Sequence, residues 1–140
     1  MKVLLAVDGS AYTKRMLAYL AAHDEFLSGD TQYVVVTAVP PVPPRAGAYF
    51  SNAELQDYYK DEAEKALGPV RSFIAQQGWT AEFEHLVGHA PDLIAEAANS
   101  RGFDLVAMGS HGHSALGGLV LGSVTTRVLA QCRTPVLIIR

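Results

Sequence analysis

The stretch Met108-Gly109-Ser110-His111-Gly112-His113-Ser114-Ala115-Leu116-Gly117-Gly118-Leu119-Val120-Leu121-Gly122-Ser123 gathers the residue types that handle anions. Gly109 and Gly112 stand three apart just after an apolar run, and Gly122-Ser123 opens a helical pattern. Glycine lets the backbone approach a ligand closely and turn its N–H groups toward an anion. A helix beginning near Ser123 adds its free N–H groups and the positive end of its dipole. Ser123 and Thr125 offer hydroxyls. Together these make a phosphate cradle that needs no lysine. The same glycines would equally serve a mobile loop between a strand and a helix, and spacing alone leaves both readings open.

Other phosphate and acyl-transfer motifs fail on spacing. Gly112 to Gly117 has the glycine interval of a P-loop, but Gly118 stands where the lysine belongs. The turn after the first apolar run reads Asp8-Gly9-Ser10-Ala11-Tyr12, not a dinucleotide fingerprint. Asp8 has no second aspartate two residues on, which weakens an aspartyl nucleophile, and no G-x-S-x-G elbow occurs. Asp8 itself has two readings: a ligand group facing the glycine loop, or a cap on the first helix and its turn. His111 and His113 flank Gly112, but a zinc site needs three or four converging ligands, so no metal is expected. They read as solvent-facing or as donors on the phosphate side. Cys132, the single cysteine, reads as a small buried thiol, with no readable His–Asp pair to activate it. No catalytic residue is assigned.

These residues need elements to hold them. Lys2 to Val7 is a nearly continuous apolar run, the pattern of a strand buried on both faces. Ser10 can cap a helix from about Ala11 to Phe26, with Met16, Leu17, Leu20 and Leu27 near one face. Gln32 to Val39 is a second strand. Pro40-Pro41-Val42-Pro43-Pro44 favours extended polyproline geometry. Ser51-Asn52-Ala53-Glu54 is a capping box, opening a helix striped by Leu55, Tyr59, Ala63, Leu67, Val70 and Ile74. Gly68-Pro69 lies inside that stripe and predicts a kink or a break. Ala81 to Val87 alternates like an edge strand. Pro91 can start a third helix, ended by Gly102. Asp104 to Gly109 is a fourth strand, Ser123 to Cys132 a fourth helix and Pro135 to Ile139 a fifth strand. Strand-helix alternation means a parallel sheet with helices on both faces. Its ligand crevice lies beyond the carboxyl ends of strands where the order reverses. If the first and fourth strands are neighbours there, Asp8 and Gly109 face each other across one crevice.

The chain has 140 residues, 49% hydrophobic and 18% charged, which suits one globular domain over residues 1–140. Its net charge of −3 gives no basic field, so no nucleic-acid partner is expected. The opening apolar run stops at Asp8 and no run approaches the length of a bilayer span, so no membrane partner is expected and the simplest location is cytoplasmic.

Gly109-x2-Gly112-x9-Gly122-Ser123, with Asp104-Leu-Val-Ala-Met-Gly-Ser-His-Gly before it and Leu121-Gly-Ser-Val-Thr-Thr-Arg-Val-Leu around its end, resembles the universal stress protein family in its ATP-binding branch. Lys2-Val-Leu-Leu-Ala-Val-Asp-Gly-Ser resembles that family's opening strand, and Thr134-Pro-Val-Leu-Ile-Ile its last. The resemblance implies an α/β three-layer sandwich with a five-stranded parallel sheet in the order 3-2-1-4-5. It implies that Asp8 contacts the ribose or adenine side, with Ala6 and Val7 lining the pocket. Ala38 matches a position, usually valine, that meets adenine through its backbone. Met108, Gly109, Gly112, Gly122, Ser123 and Val124 match ribose and phosphate contacts. His113 and Gly118 stand where relatives often carry a basic residue.

The implied ligand is ATP, or ADP or AMP, with Mg²⁺ accompanying the nucleotide, and the implied role is in stress response or signalling with at most slow hydrolysis. The alternatives are an ATPase or phosphoryl-transfer enzyme using Asp8, His111 or His113, and a nucleotide-independent interaction module. Pro40 to Phe50 is expected to act as a lid. Val136 to Ile139, apolar on both faces and without edge protection, is expected to pair with its own copy in a homodimer.

Overall fold

The computed structural model describes every residue except Ser28, Ala115 and Leu116; the last two belong to the glycine-rich stretch singled out above. Five strands form one parallel sheet in the order β3-β2-β1-β4-β5. They are β1 (Lys2–Ala6), β2 (Gln32–Val39), β3 (Thr80–Val87), β4 (Leu105–Gly109) and β5 (Val136–Ile139). The helices are α1 (Ala11–Ala22), α2 (Pro44–Gly47), α3 (Asn52–Gln77), α4 (Ala90–Ser100) and α5 (Ser123–Gln131).

The central strands are apolar through most of their length because both faces are covered; Lys2 and Gln32 stand at their open ends. Val3 and Leu5 of β1, Val35 of β2 and Ala107 of β4 pack with α1 and α3 through Met16, Leu20, Leu67 and Ile74. The alternate residues Leu4, Val34, Val36, Val106 and Met108 pack with α4 and α5 through Ile94, Ala98 and Val128. β1 sits in the middle, with Ala6 opposite Val36 on one side and Met108 on the other. The switch point therefore lies at the carboxyl ends of β1 and β4, as the crevice requires.

Four local expectations are corrected. The first helix ends at Ala22, and Asp24–Phe26 is a separate 3-10 turn, although Met16, Leu17, Leu20 and Leu27 are all buried as expected. Ser10 occupies the N-cap position, but its hydroxyl makes no capping bond and is buried without a partner among the described residues. The Asp8 carboxylate instead organises this turn, accepting from the Ser10 N–H and the Thr13 hydroxyl. α3 runs unbroken through Gly68 and Pro69. Its capping box at Ser51 and Glu54 forms as expected, and Tyr59, Ala63, Leu67, Val70 and Ile74 anchor it on the sheet both before and after the proline. The proline run is extended only to Pro43: Pro44 starts the short α2, because its fixed φ and missing N–H suit a first helical turn.

Candidate functional site

At the switch point the chain leaves β1 through Val7, Asp8 and Gly9, the last in a left-handed conformation at φ +76°. A Cβ there would stand 3.3 Å from Ala66 Cα, so glycine also lets α3 pack close to this turn. Asp8 Oδ1 accepts hydrogen bonds from the Ser10 N–H at 2.9 Å and the Thr13 hydroxyl at 3.0 Å. The Thr13 hydroxyl in turn accepts from the Asp8 N–H. Oδ2 points the other way, toward Gly112, where an added Cβ would fall 2.6 Å from it. The two readings of Asp8 thus belong to its two oxygens: one organises the turn, the other faces the glycine loop.

The opposite lip is the segment after β4. Gly109 lies against α1, where a Cβ would meet Tyr12 Cβ at 2.6 Å. The loop closes on itself where the Gly122 N–H donates to the Ser110 carbonyl at 2.7 Å, and a Cβ on Gly122 would meet His111 Cα at 3.1 Å. His111 braces this closure. A carbonyl only accepts, so Nε2–H donates to Leu119 O (2.9 Å) and in the neutral ring Nδ1 accepts from the Ser110 hydroxyl (2.8 Å). The ring also lies 4.9 Å from that of Tyr12. His113 spans the crevice: its Nε2–H donates to the Asp8 carbonyl at 2.6 Å. Thr125, one of the expected hydroxyl donors to a ligand, is buried and donates to the Gly109 carbonyl at 3.0 Å, tying α5 to β4. Ser123 remains exposed at the first position of α5. No side chain caps that helix, so its leading N–H groups and positive dipole end open into the crevice.

Between the lips lies a cavity of about 660 Å³, within the range of small-molecule sites. All eleven residues expected at the site line it: Ala6, Val7, Asp8, Ala38, Met108, Gly109, Gly112, His113, Gly122, Ser123 and Val124. Ala90, Ile94 and Leu119 also line it and were not singled out from sequence, being ordinary apolar residues with no motif to mark them; Pro40, the first residue of the expected lid segment, lines it too. Thr13 and Tyr12 were also missed. Their signal is positional only: a hydroxyl five residues beyond Asp8, and a bulky side chain facing a glycine nearly a hundred residues away. Gly118 does not line the cavity. Among the described residues no group of three His, Cys, Asp or Glu side chains is placed to hold a metal ion. Cys132 is half-buried just past α5, its thiol directed at the Thr134 carbonyl.

The profile of the universal stress protein family matches residues 1–140. A universal stress protein of Synechocystis is 34% identical over 139 residues, which cover 99% of this chain but 42% of that longer protein. One from Thermus aquaticus is also 34% identical over 139 residues, covering 99% of this chain and 97% of the other. A solved structure from Methanocaldococcus jannaschii superposes with a TM-score of 0.81 at 24% identity, over 99% of this chain and 94% of that one. The universal stress protein of Archaeoglobus fulgidus solved with dAMP gives 0.70 at 24% identity, over 100% and 98%. A universal stress protein solved with cAMP gives 0.67 at 25% identity, over 100% and 97%. With the strand order, the glycine spacing and the whole-length match in agreement, the chain belongs to the universal stress protein family.

Proposed function

We propose that this chain, as one domain over residues 1–140, binds an adenine nucleotide, ATP foremost with ADP and AMP as its alternatives, and acts in the cytoplasm in stress response or signalling. The observation that carries this reading is the convergence of all eleven expected residues on one cavity at the switch point of the sheet. The phosphates lie against Gly109, Gly112 and the N-terminus of α5, where backbone N–H groups supply the attraction. The base lies toward Ala38 and Val7. Relatives of this fold hold dAMP and cAMP, which supports the same ligand class here.

Hydrolysis is slow at most. Among the described lining residues there is no lysine or arginine to stabilise charge on a transferring phosphoryl group, and Asp8 is the one carboxylate. Mg²⁺ enters with the nucleotide phosphates rather than on a protein carboxylate pair. The chain assembles as a homodimer through β5.

Denaturing the purified protein and analysing the released small molecules by mass spectrometry tests the ligand class, and calorimetric titration with AMP, ADP and ATP ranks the ligands. Released adenine nucleotide or saturable heat is expected. Neither signal at millimolar nucleotide returns the chain to the reading of a nucleotide-independent interaction module. Turnover that follows pH through the histidine range, and is lost on substituting His111 or His113, would move it to the enzymes.

A further inference from the structure

Beside the crevice lies a second compartment of about 380 Å³, and the two share Ala38, Pro40, Ala90, Ser123 and Val124. The glycine loop and Asp8 line only the first compartment. Pro41, Gly88, His89, Pro91 and Arg127 line only the second. A phosphate held on the glycine loop is therefore separated from Arg127 by the shared wall.

Arg127 stands four residues after Ser123 and three after Val124, so it lies on the same face of α5 as both. Its Cα–Cβ bond leans toward the N-terminus of the helix, where the shared wall is. Among the described residues this guanidinium forms no ion pair, and the hydrogen bond it makes is to the His89 ring, from Nη1 to Nε2 at 3.2 Å. Arginine only donates, so His89 Nε2 accepts and its Nδ1–H donates to Asp92 Oδ2 at 2.9 Å. Asp92 Oδ1 accepts from Gln131 at 3.0 Å. The hydrogen bond from His89, then that from Gln131, holds the Asp92 carboxyl below its ordinary range. The hydrogen bonds of this acid come from His89 and Gln131, with the Arg127 charge adding a smaller pull from a distance, and the fork of Arg127 keeps most of its N–H groups for something else. Three prolines, Pro40, Pro41 and Pro91, supply apolar walls.

We propose that this compartment is a subsite for a second anionic group, covalently part of an adenine nucleotide whose first phosphate lies on the glycine loop, with Arg127 as its principal donor. This rests on the nucleotide reading above and deepens it: the preferred ligand class has two separated anionic arms. Two sources share that chemistry, a second phosphate on the ribose and a second nucleotide joined through a polyphosphate bridge.

Calorimetric titration at one fixed ionic strength separates them. The probes are AMP, adenosine 3′,5′-bisphosphate, ATP and diadenosine tetraphosphate, each against the wild-type chain and Arg127→Gln. At least one two-armed probe is expected to bind about tenfold or more tighter than its one-armed counterpart, AMP or ATP. Arg127→Gln is expected to erase that advantage, leave AMP affinity within about twofold and leave the melting curve unchanged, since Arg127 is exposed. A gain for the bisphosphate identifies a compact second phosphate; a gain confined to the dinucleotide identifies a second nucleotide. AMP binding with no preference for either two-armed probe, or a preference that survives Arg127→Gln, overturns the subsite and leaves the nucleotide reading standing. Failure of the wild-type chain to bind AMP at all removes both.

Discussion

Gly112 lacks a side chain because Asp8 uses the space. Gly109 lacks one because Tyr12 does, and Gly122 because the backbone of its own loop does. Each signature glycine is therefore needed by the protein before any ligand arrives. At Gly112 the obstacle is the free end of a carboxylate; at Gly109 it is the Cβ and backbone of a helix, which cannot turn aside. Gly112→Ala is accordingly expected to lower stability by about 1 kcal/mol and Gly109→Ala by about 2–3 kcal/mol, both by overpacking. Adding Asp8→Ala should relieve the first substitution and not the second. Chemical denaturation of the three single and two double variants, in two double-mutant cycles sharing Asp8→Ala, measures this; equal coupling of Asp8 to both glycines would contradict it. The sequence showed that these positions matter and suggested why, a close approach of phosphate. It could not show the protein neighbour, because Asp8 and Tyr12 lie about a hundred residues from the glycines they crowd. Thr125 failed in the same way: its hydroxyl reads as available until the Gly109 carbonyl is seen above it.

At the scale of the element, what was legible followed from burial. Strands covered on both faces carry long apolar runs, so β2, with Val34, Val35 and Val36 at its centre, runs over the residues expected and β1 falls within its apolar run. α3 was half legible. Its start is written in Ser51 and Glu54; of the kink or break that Gly68-Pro69 predicts, the break does not occur and the helix passes through. A proline costs about 3 kcal/mol in a helix interior, and the buried stripe on both sides of it supplies enough packing to hold one continuous helix. That local cost is still present in the folded chain. Pro69 is exposed, so its replacement loses little packing. Pro69→Ala is expected to stabilise the protein by about 1–3 kcal/mol, raising the melting temperature by several degrees. Calorimetric melting checks it; an unchanged or lowered midpoint would show that the ring packs to advantage.

For the whole molecule, β5 lies at one edge of the sheet with its faces half-covered and, among the described residues, no strand on its outer side. Pairing with the same strand of a second copy, antiparallel about a two-fold axis, supplies one. A dimer near 30 kDa is expected, twice the 15.0 kDa chain, and Ile138→Pro should give monomer or aggregate. Light scattering at micromolar concentration decides, and a well-folded wild-type monomer with rapidly exchanging β5 amides would refute it. The central position of β1 has a consequence of another kind, for a chain emerging from the ribosome. β1 is made first, and its neighbour on one side, β2, follows within about thirty residues, but Leu4 waits for Val106 on the other. At about 5–20 residues per second that wait is roughly 5–20 s. Throughout it an apolar strand that ends up buried on both faces stands as a raw edge. A nascent chain stalled before β4 should therefore be a client for chaperones, and it has no binding crevice to be rescued by ligand, because one whole lip of that crevice has yet to be translated.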